Sequence, residues 1–246
     1  MALTENSFFN YVEGRGQSGY GAAILVKDPD NGTNGKYSLL VASTTVPSIF
    51  GSSDSFEFDL LNMPTKGKIQ GKPSIEAKEV EILHHRDNAY RLQKLKGKTL
   101  DFLVIGKEFM AYKFVGTIDY RPNDGSADVW MGTYTITPMS AEPTPIFNAR
   151  PMIANTLTFN SAIPDTVKAN VDVDFTTVWP NVTVSYKVVK IAAETNAETT
   201  AAASTDYVVT ESKIKFNNEG LYAVTVSDTA GTYASWTTTI YCEATA

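Results

Sequence analysis

Cysteine, histidine and long apolar runs are what this chain of 246 residues most nearly does without. Its single cysteine, Cys242, excludes an internal disulfide and a zinc site built from several thiolates. Cys242 shares strand parity with Ala234, Trp236, Thr238 and Ile240, which predicts a buried structural thiol. The two histidines, His84 and His85, are adjacent, and sequence neighbours do not share a helix or strand face. A Ser-His-Asp or Cys-His constellation would have to draw on this pair, and no second pair completes a metal shell. No apolar run approaches the ~20 residues that cross a bilayer. The opening Met1-Ala2-Leu3-Thr4-Glu5-Asn6 has neither a basic nor an apolar signal region, so no secretory leader is expected.

Positive charge is also short. The formal balance is −6, and residues 159–246 carry 5 Lys/Arg against 10 Asp/Glu, while residues 1–158 carry 16 against 17. A chain without basic excess cannot neutralise many phosphates, which excludes tight DNA binding but not DNA passing nearby. Candidate chemistry is thin. Gly14-Arg15-Gly16-Gln17-Ser18-Gly19 contains a GxGxxG string without the strand and βαβ unit that would make it a nucleotide site. Glu76, Glu79 and Glu81 could pair with Asp101 or Asp119 as a glycosidase dyad, but solvated strand faces explain them more simply. The expected catalytic, metal and cofactor sets are therefore empty, and the chain reads as a non-enzyme.

What is present is β-structure. Strand signals fall at Tyr20–Lys27, Tyr37–Ser43, Phe56–Leu61, Ile75–Leu83, Thr99–Ile105, Phe109–Tyr120 and Val129–Thr137. Asp30-Asn31-Gly32, Asn34-Gly35 and Pro122-Asn123-Asp124-Gly125 supply turns, because Asn, Asp and Gly tolerate positive φ. One helix is predicted within Asp87–Lys96, capped by Asp87, striped by Ala89, Leu92 and Leu95, and ended by Gly97. Pro138 to Pro151 holds four prolines and reads as an extended segment, with Ile146 and Phe147 packed. Beyond Phe159, strand signals at Ile163–Val167, Val171–Phe175, Val182–Ile191, Tyr207–Val209, Ile214–Phe216, Gly220–Val226 and Ala234–Tyr241 suggest an immunoglobulin-like sandwich without its cysteine pair. Tyr222 stands where such folds place a corner tyrosine, Tyr186 and Trp236 are assigned to the core, and Ala192–Thr205 reads as a solvated tip. The expected division is 1–155 and 156–246.

The most informative stretch runs from Ser43 to Ile75. Loops beyond roughly 12–15 residues are uncommon inside compact domains, and this one is too apolar for a linker. Val46, Pro47, Ile49, Phe50, Phe56, Phe58, Leu60, Leu61 and Met63 lie within it, and Phe56 and Phe58 alternate with Glu57 and Asp59. An apolar arm on a β-rich body needs a surface to cover it, which points to contact between subunits.

The order of elements resembles the major tail tube protein of long-tailed phages. The resemblance rests on the Val46-Pro47-Ser48-Ile49 start, the Phe56–Leu60 middle and the Lys68-Ile69-Gln70-Gly71 close of the arm. It rests also on the short helix followed by Leu100–Ile105 and the Phe109–Tyr120 strand, and on the appended acidic immunoglobulin-like part. It implies a mainly β, ring-forming tail-tube domain followed by an immunoglobulin-like β-sandwich. It further implies homo-hexameric rings that stack into a tube, with the arm reaching the next ring, through which DNA is ejected without specific binding. Implied partners are other copies, a tape-measure protein, and tail-terminator or distal-tail proteins. No membrane insertion is expected, and 156–246 would make weak host-surface glycan contacts. The place implied is the virion tail, after synthesis in the host cytoplasm. The competing reading is a carbohydrate-binding or adhesin-type β-sandwich protein, which would share the immunoglobulin-like part but would not need the arm.

Overall fold

The computed structural model describes residues 22–27, 35–43, 45–51, 53–58, 67–73, 75–106, 109–123, 130–140 and 142–244. The protein is mainly β, with one α-helix among these residues. In chain order the first half carries β1 (Ala23–Lys27), β2 (Ser38–Leu39), β3 (Ser53–Phe58), β4 (Gly67–Pro73), β5 (Lys78–Leu83) and α1 (Arg86–Leu95). There follow β6 (Thr99–Ile105), β7 (Ala111–Pro122), β8 (Met131–Pro138), β9 (Thr144–Ile146) and β10 (Asn155–Thr156). The turn signal at Asn31-Gly32, the Gly14–Gly19 string and the arm residues Leu60, Leu61 and Met63 lie outside the described residues.

Antiparallel pairing assembles one sheet in the order β2-β1-β6-β7-β8-β5, with β9 also on β7. Alternation decides its two faces. Ile24, Val26, Phe102, Phe114, Ile118, Tyr134, Val80 and Ile82 line one core, which Leu92 and Leu95 of α1 close. Ala23, Leu25, Leu103, Ile105 and Ala111 point the other way, under Ala149 of the proline-rich segment and Ile153 just after it. Both faces of β1 are thus covered, which is why four successive residues, Ala23 to Val26, are buried. The covering segment adds β9 to β7 and then makes a 3₁₀ turn at Arg150–Met152, with proline inside its first turn, where a missing N–H costs nothing. Ile146 packs against this second core, but Phe147 is 78% exposed, which corrects the expectation that both were packed.

The helix begins one residue before its predicted start. Its N-cap is His85, whose Nδ1 accepts the N–H of Asp87, so Asp87 is not the cap. The stop matches: Gly97 has φ of 73° and takes the left-handed position after the last turn.

The second half carries β11 (Thr166–Lys168), β12 (Asp172–Asp174), β13 (Val184–Ile191), β14 (Glu198–Thr200) and β15 (Tyr207–Thr210). It ends with β16 (Lys213–Phe216), β17 (Gly220–Asp228), β18 (Tyr233–Ala234) and β19 (Trp236–Glu243). Two sheets form, β11-β19-β17-β13-β14 and β12-β16-β15. That division, with β11 parallel to β19 and every other pair within the two sheets antiparallel, is the immunoglobulin-like arrangement. Phe175, Phe216, Tyr222, Val224, Trp236 and Cys242 fill the space between the sheets. Tyr186 packs against the same cluster, and burial pushes the Cys242 thiol above its ordinary range. The Tyr222 hydroxyl donates to the carbonyl of Asn218 at 3.0 Å, closing a tyrosine corner. Val224 sits two residues on, where disulfide-bonded relatives of the fold carry cysteine.

Burial, then the nearby charge of Asp206, pushes the Tyr222 phenol up to about 12, and burial does the same to Tyr37. Unfolded tyrosines lose their protons near 10, so the stability these groups hold is complete below that pH and is lost between 10 and 12. Alkaline unfolding followed at the phenolate absorbance is therefore expected to begin above pH 10. Tyr222→Phe, which leaves the Asn218 carbonyl without its donor, should cost about 1–2 kcal/mol by urea denaturation.

Candidate functional site

The arm is a two-stranded antiparallel hairpin. β3 and β4 pair with each other and with no other strand of the described residues. The register sets Phe56 opposite Ile69, Glu57 opposite Lys68 and Phe58 opposite Gly67, with a bulge between Ser53 and Ser55. Period-two alternation therefore gives Phe56, Phe58 and Ile69 one parity. An isolated two-stranded hairpin is marginally stable in water unless a third strand or another layer joins it.

The start of the arm behaves differently from its middle. Ile49 is 5% exposed and belongs to the core under the first sheet, and Val46 packs against that core. These two residues root the arm in its own chain, which corrects their placement in the projecting part. Pro47 is half-buried beside them. Phe50, at 47% exposed, is the point where the chain leaves the core, and its ring meets Tyr112 edge-on at 4.9 Å.

The first sheet has an open region. Where the proline-rich cover ends, the outward residues of β5, β8 and β7 form polar rows: Glu79, Thr135 and Asp119 in one, Glu81, Thr133 and Arg121 in the next. Lys96 lies 2.8 Å from Asp119 and Arg121 3.5 Å. The hydrogen bond from Lys96 is the main reason that Asp119 is held below the usual carboxylate range. Asp101 faces Lys113 at 3.9 Å and Glu76 pairs with Lys78 at 2.8 Å. The acids considered for a glycosidase dyad thus sit on solvated faces, three of them beside cations. Among the described residues β5 pairs with β8 on one side only, so its other edge ends the sheet they form.

A feature that sequence reasoning missed lies between the halves. Asp87 is buried, and its carboxylate accepts from the Thr239 N–H at 2.6 Å, the Thr239 hydroxyl at 2.7 Å and the Thr238 hydroxyl at 2.9 Å. Tyr90 packs against Val189, Ile191 and Ala223 on the outer face of β13 and β17. Its hydroxyl donates to Glu198 at 2.8 Å, and Lys94 reaches the same carboxylate at 3.1 Å. Glu198 belongs to the stretch expected as a solvated tip, which is exposed throughout except at Ala201, and whose β14 runs back along β13 toward the helix. The spacing of Asp87, Tyr90 and Lys94, at i, i+3 and i+7, was the available signal: a second helical stripe opposite Ala89, Leu92 and Leu95.

The histidines take structural places. His84 Nδ1 is hydrogen-bonded to the Tyr120 hydroxyl, and its ring lies 3.9 Å from that of Trp130, so burial and then the neighbouring His85 lower its pKa. Among the described residues no three of His, Cys, Asp and Glu come together as a metal site.

No protein-family model matches the chain, and no curated protein matches it. Among solved structures it is similar to the N-terminal eight Ig domains of Down Syndrome Cell Adhesion Molecule (DSCAM) isoform 1.30.30. That likeness has 11% identity and a TM-score of 0.30, over 74% of this chain and 26% of the other, so the chain spans about a quarter of it. It is also similar to a structure described as the structural basis for Dscam isoform specificity. There the identity is 8% and the TM-score 0.28, over 78% of this chain and 70% of the other. Neither superposition is close enough to carry functional weight, and the immunoglobulin-like fold rests on the strand order.

Asp87→Ala removes the acceptor for three donors in the joint and should destabilise it by about 2–3 kcal/mol. Hydrogen exchange is expected to show the Thr239 amide losing protection while Tyr222 and Val224 keep theirs. Calorimetry should separate one unfolding transition into two.

Proposed function

We propose that this is a structural virion protein that polymerises as stacked hexameric rings into a phage tail tube, the conduit for DNA ejection. The observation that carries the reading is the β3–β4 hairpin, which stands between β2 and β5 in the chain and finds no third strand among the described residues. The sequence places Phe56, Phe58 and Ile69 on one parity of that hairpin, and an apolar strand face calls for a surface to pack on, which this reading assigns to another copy. The resemblance in element order supplies the ring and the tube.

Sheet-edge chemistry supports a ring over a two-fold dimer. If β5 paired antiparallel with its own copy, centred on Val80, Glu79 would stand opposite Glu81, and like charges facing each other across strands repel. An edge that disfavours its own copy pairs with a different edge, and such heterologous contacts generate rings or filaments. The open polar face of β5, β8 and β7 is assigned to the lumen. Its threonine and carboxylate rows give DNA no cluster of unpaired cations to bind. The assignment keeps the partners expected of such a tube: other copies, a tape-measure protein and the proteins that end the tube.

Negative-stain microscopy of concentrated protein tests the reading. Rings or tubes are expected from the native chain. Phe56→Asp with Phe58→Asp should remain folded by circular dichroism and fail to stack. A charge forced into an apolar contact costs at least about 3 kcal/mol, which raises the assembly concentration more than a hundredfold. A native chain that stays monomeric at every concentration overturns the assignment.

A further inference from the structure

Beside the joint between the halves lies a cavity of about 690 Å³, walled by Arg86 at the start of α1 and by residues of the sandwich, Lys190, Ile191, Glu219, Leu221 and Tyr241 among them. The register explains its apolar side. Ile191, Leu221 and Tyr241 stand in one row across β13, β17 and β19. The acid in the wall, Glu219, accepts the Tyr241 hydroxyl at 2.9 Å. The two cations are different. Among the described residues neither Arg86 nor Lys190 has a carboxylate within ion-pairing distance. Arg86 donates to the Asp165 carbonyl at 3.3 Å, while the Asp165 carboxylate faces His85 at 3.4 Å. Lys190 stands 5.5 Å from the centre of the Tyr222 ring. Asp206, whose charge reaches Lys190 through space, accepts the Ala202 N–H at 2.8 Å and the Asn218 amide at 3.2 Å.

We propose that this cavity binds an amphipathic organic anion, a carboxylate head on a short apolar body. The head sits between Arg86 and Lys190, where the guanidinium fork matches a carboxylate and the ammonium adds a point charge. The body lies on Ile191 and Leu221. The volume falls in the range of ordinary small-molecule sites, which pair an apolar lining with a few convergent polar groups. Charge favours an anion here against the trend of the chain. Residues 159–246 carry 5 Lys/Arg against 10 Asp/Glu, and Lys213 and Lys215 stand opposite Asp174 and Asp172 across the strands. Lys190 has no such neighbour. Its place is also made for it: a Cβ on Gly220 would come 2.7 Å from the Lys190 Cε, so glycine there leaves room for the lysine stem. A second cavity of about 460 Å³ shares Arg86, Ile191 and Leu221 with the first and runs along Tyr90. Its own cation, Lys94, is already paired with Glu198 at 3.1 Å, so the free positive charge stays at the Arg86 and Lys190 end. Arg86 belongs to one half and Lys190 to the other, so an anion held by both fastens the joint and stabilises the folded chain by mass action.

Titration calorimetry of the full chain with octanoate, octanol and inorganic phosphate tests the site. Octanoate is expected to bind at least tenfold more tightly than octanol, which lacks the charge, or phosphate, which lacks the apolar body. Arg86→Gln and Lys190→Gln should each weaken octanoate at least tenfold. Lys187→Gln, on the same strand but outside the cavity, should leave the affinity unchanged. Ala192→Trp fills the cavity from an exposed position and keeps both cations; it should abolish binding with an unchanged circular dichroism spectrum. Octanoate should raise the melting temperature of the native chain and not that of Ala192→Trp. No binding of octanoate, equal binding of octanol or phosphate, or unchanged affinity in both glutamine variants overturns the proposal. Each of these outcomes leaves the assembly reading where it stood, because the cavity belongs to the single chain.

Discussion

One helix of ten residues serves two hydrophobic cores, and the arrangement of the protein depends on it. At about 100° per residue, Ala89, Leu92 and Leu95 form a stripe that closes the core under the first sheet. Asp87, Tyr90 and Lys94 form the opposite stripe and meet the outer face of the immunoglobulin-like sandwich. The buried carboxylate is the demanding part. Removed from water, it is tolerated because three donors converge on it, two of them threonine hydroxyls that rotate to suit. His85 can then cap the helix because Asp87 is engaged elsewhere.

This joint makes the second half more than an appendage on a linker. Val189, Ile191 and Ala223 lie on what would be the solvated outer face of an isolated sandwich, yet all three are buried. Their cover is Tyr90, whose hydroxyl finds Glu198 at the margin of the contact. The polar atoms ring an apolar centre, the ordinary anatomy of a stable interface. Whatever position the first half takes in an assembly, the sandwich is oriented with it.

The two cores leave different parts of the first sheet bare. Among the described residues the first sheet is covered on both sides near β1 and on one side only near β5. Its bare region near β5 carries the Glu79 and Glu81 rows together with exposed Leu83, and other exposed apolar residues, Phe50, Val115, Trp130 and Phe147 among them, are spread over the first half. Charged residues on the last strand protect an edge that would otherwise invite indiscriminate pairing.

Local pattern alone determined much of this protein. Period-two alternation located β6 at Thr99–Ile105 and the long aromatic strand β7 to within two residues, because a half-buried strand must alternate. The corner at Tyr222 and the burial of Cys242 were equally legible, since both answer to strand parity. Gly97 ended the helix for a reason confined to its own backbone. Tertiary structure decided what depends on distant partners. Nothing near Asp87 in sequence announces that Thr238 and Thr239 will claim its carboxylate, so the residue looked like a cap. Ile49 looked like part of a projecting arm because its neighbours are apolar too, and only packing separates a root from a tip. Phe147 was expected inside for its hydrophobicity, but the cover that β9 lays on the sheet ends one residue earlier, at Ile146. Burial on a strand is a matter of parity, which the chain carries in itself; burial at a joint is a matter of which surfaces meet, which only the folded whole decides.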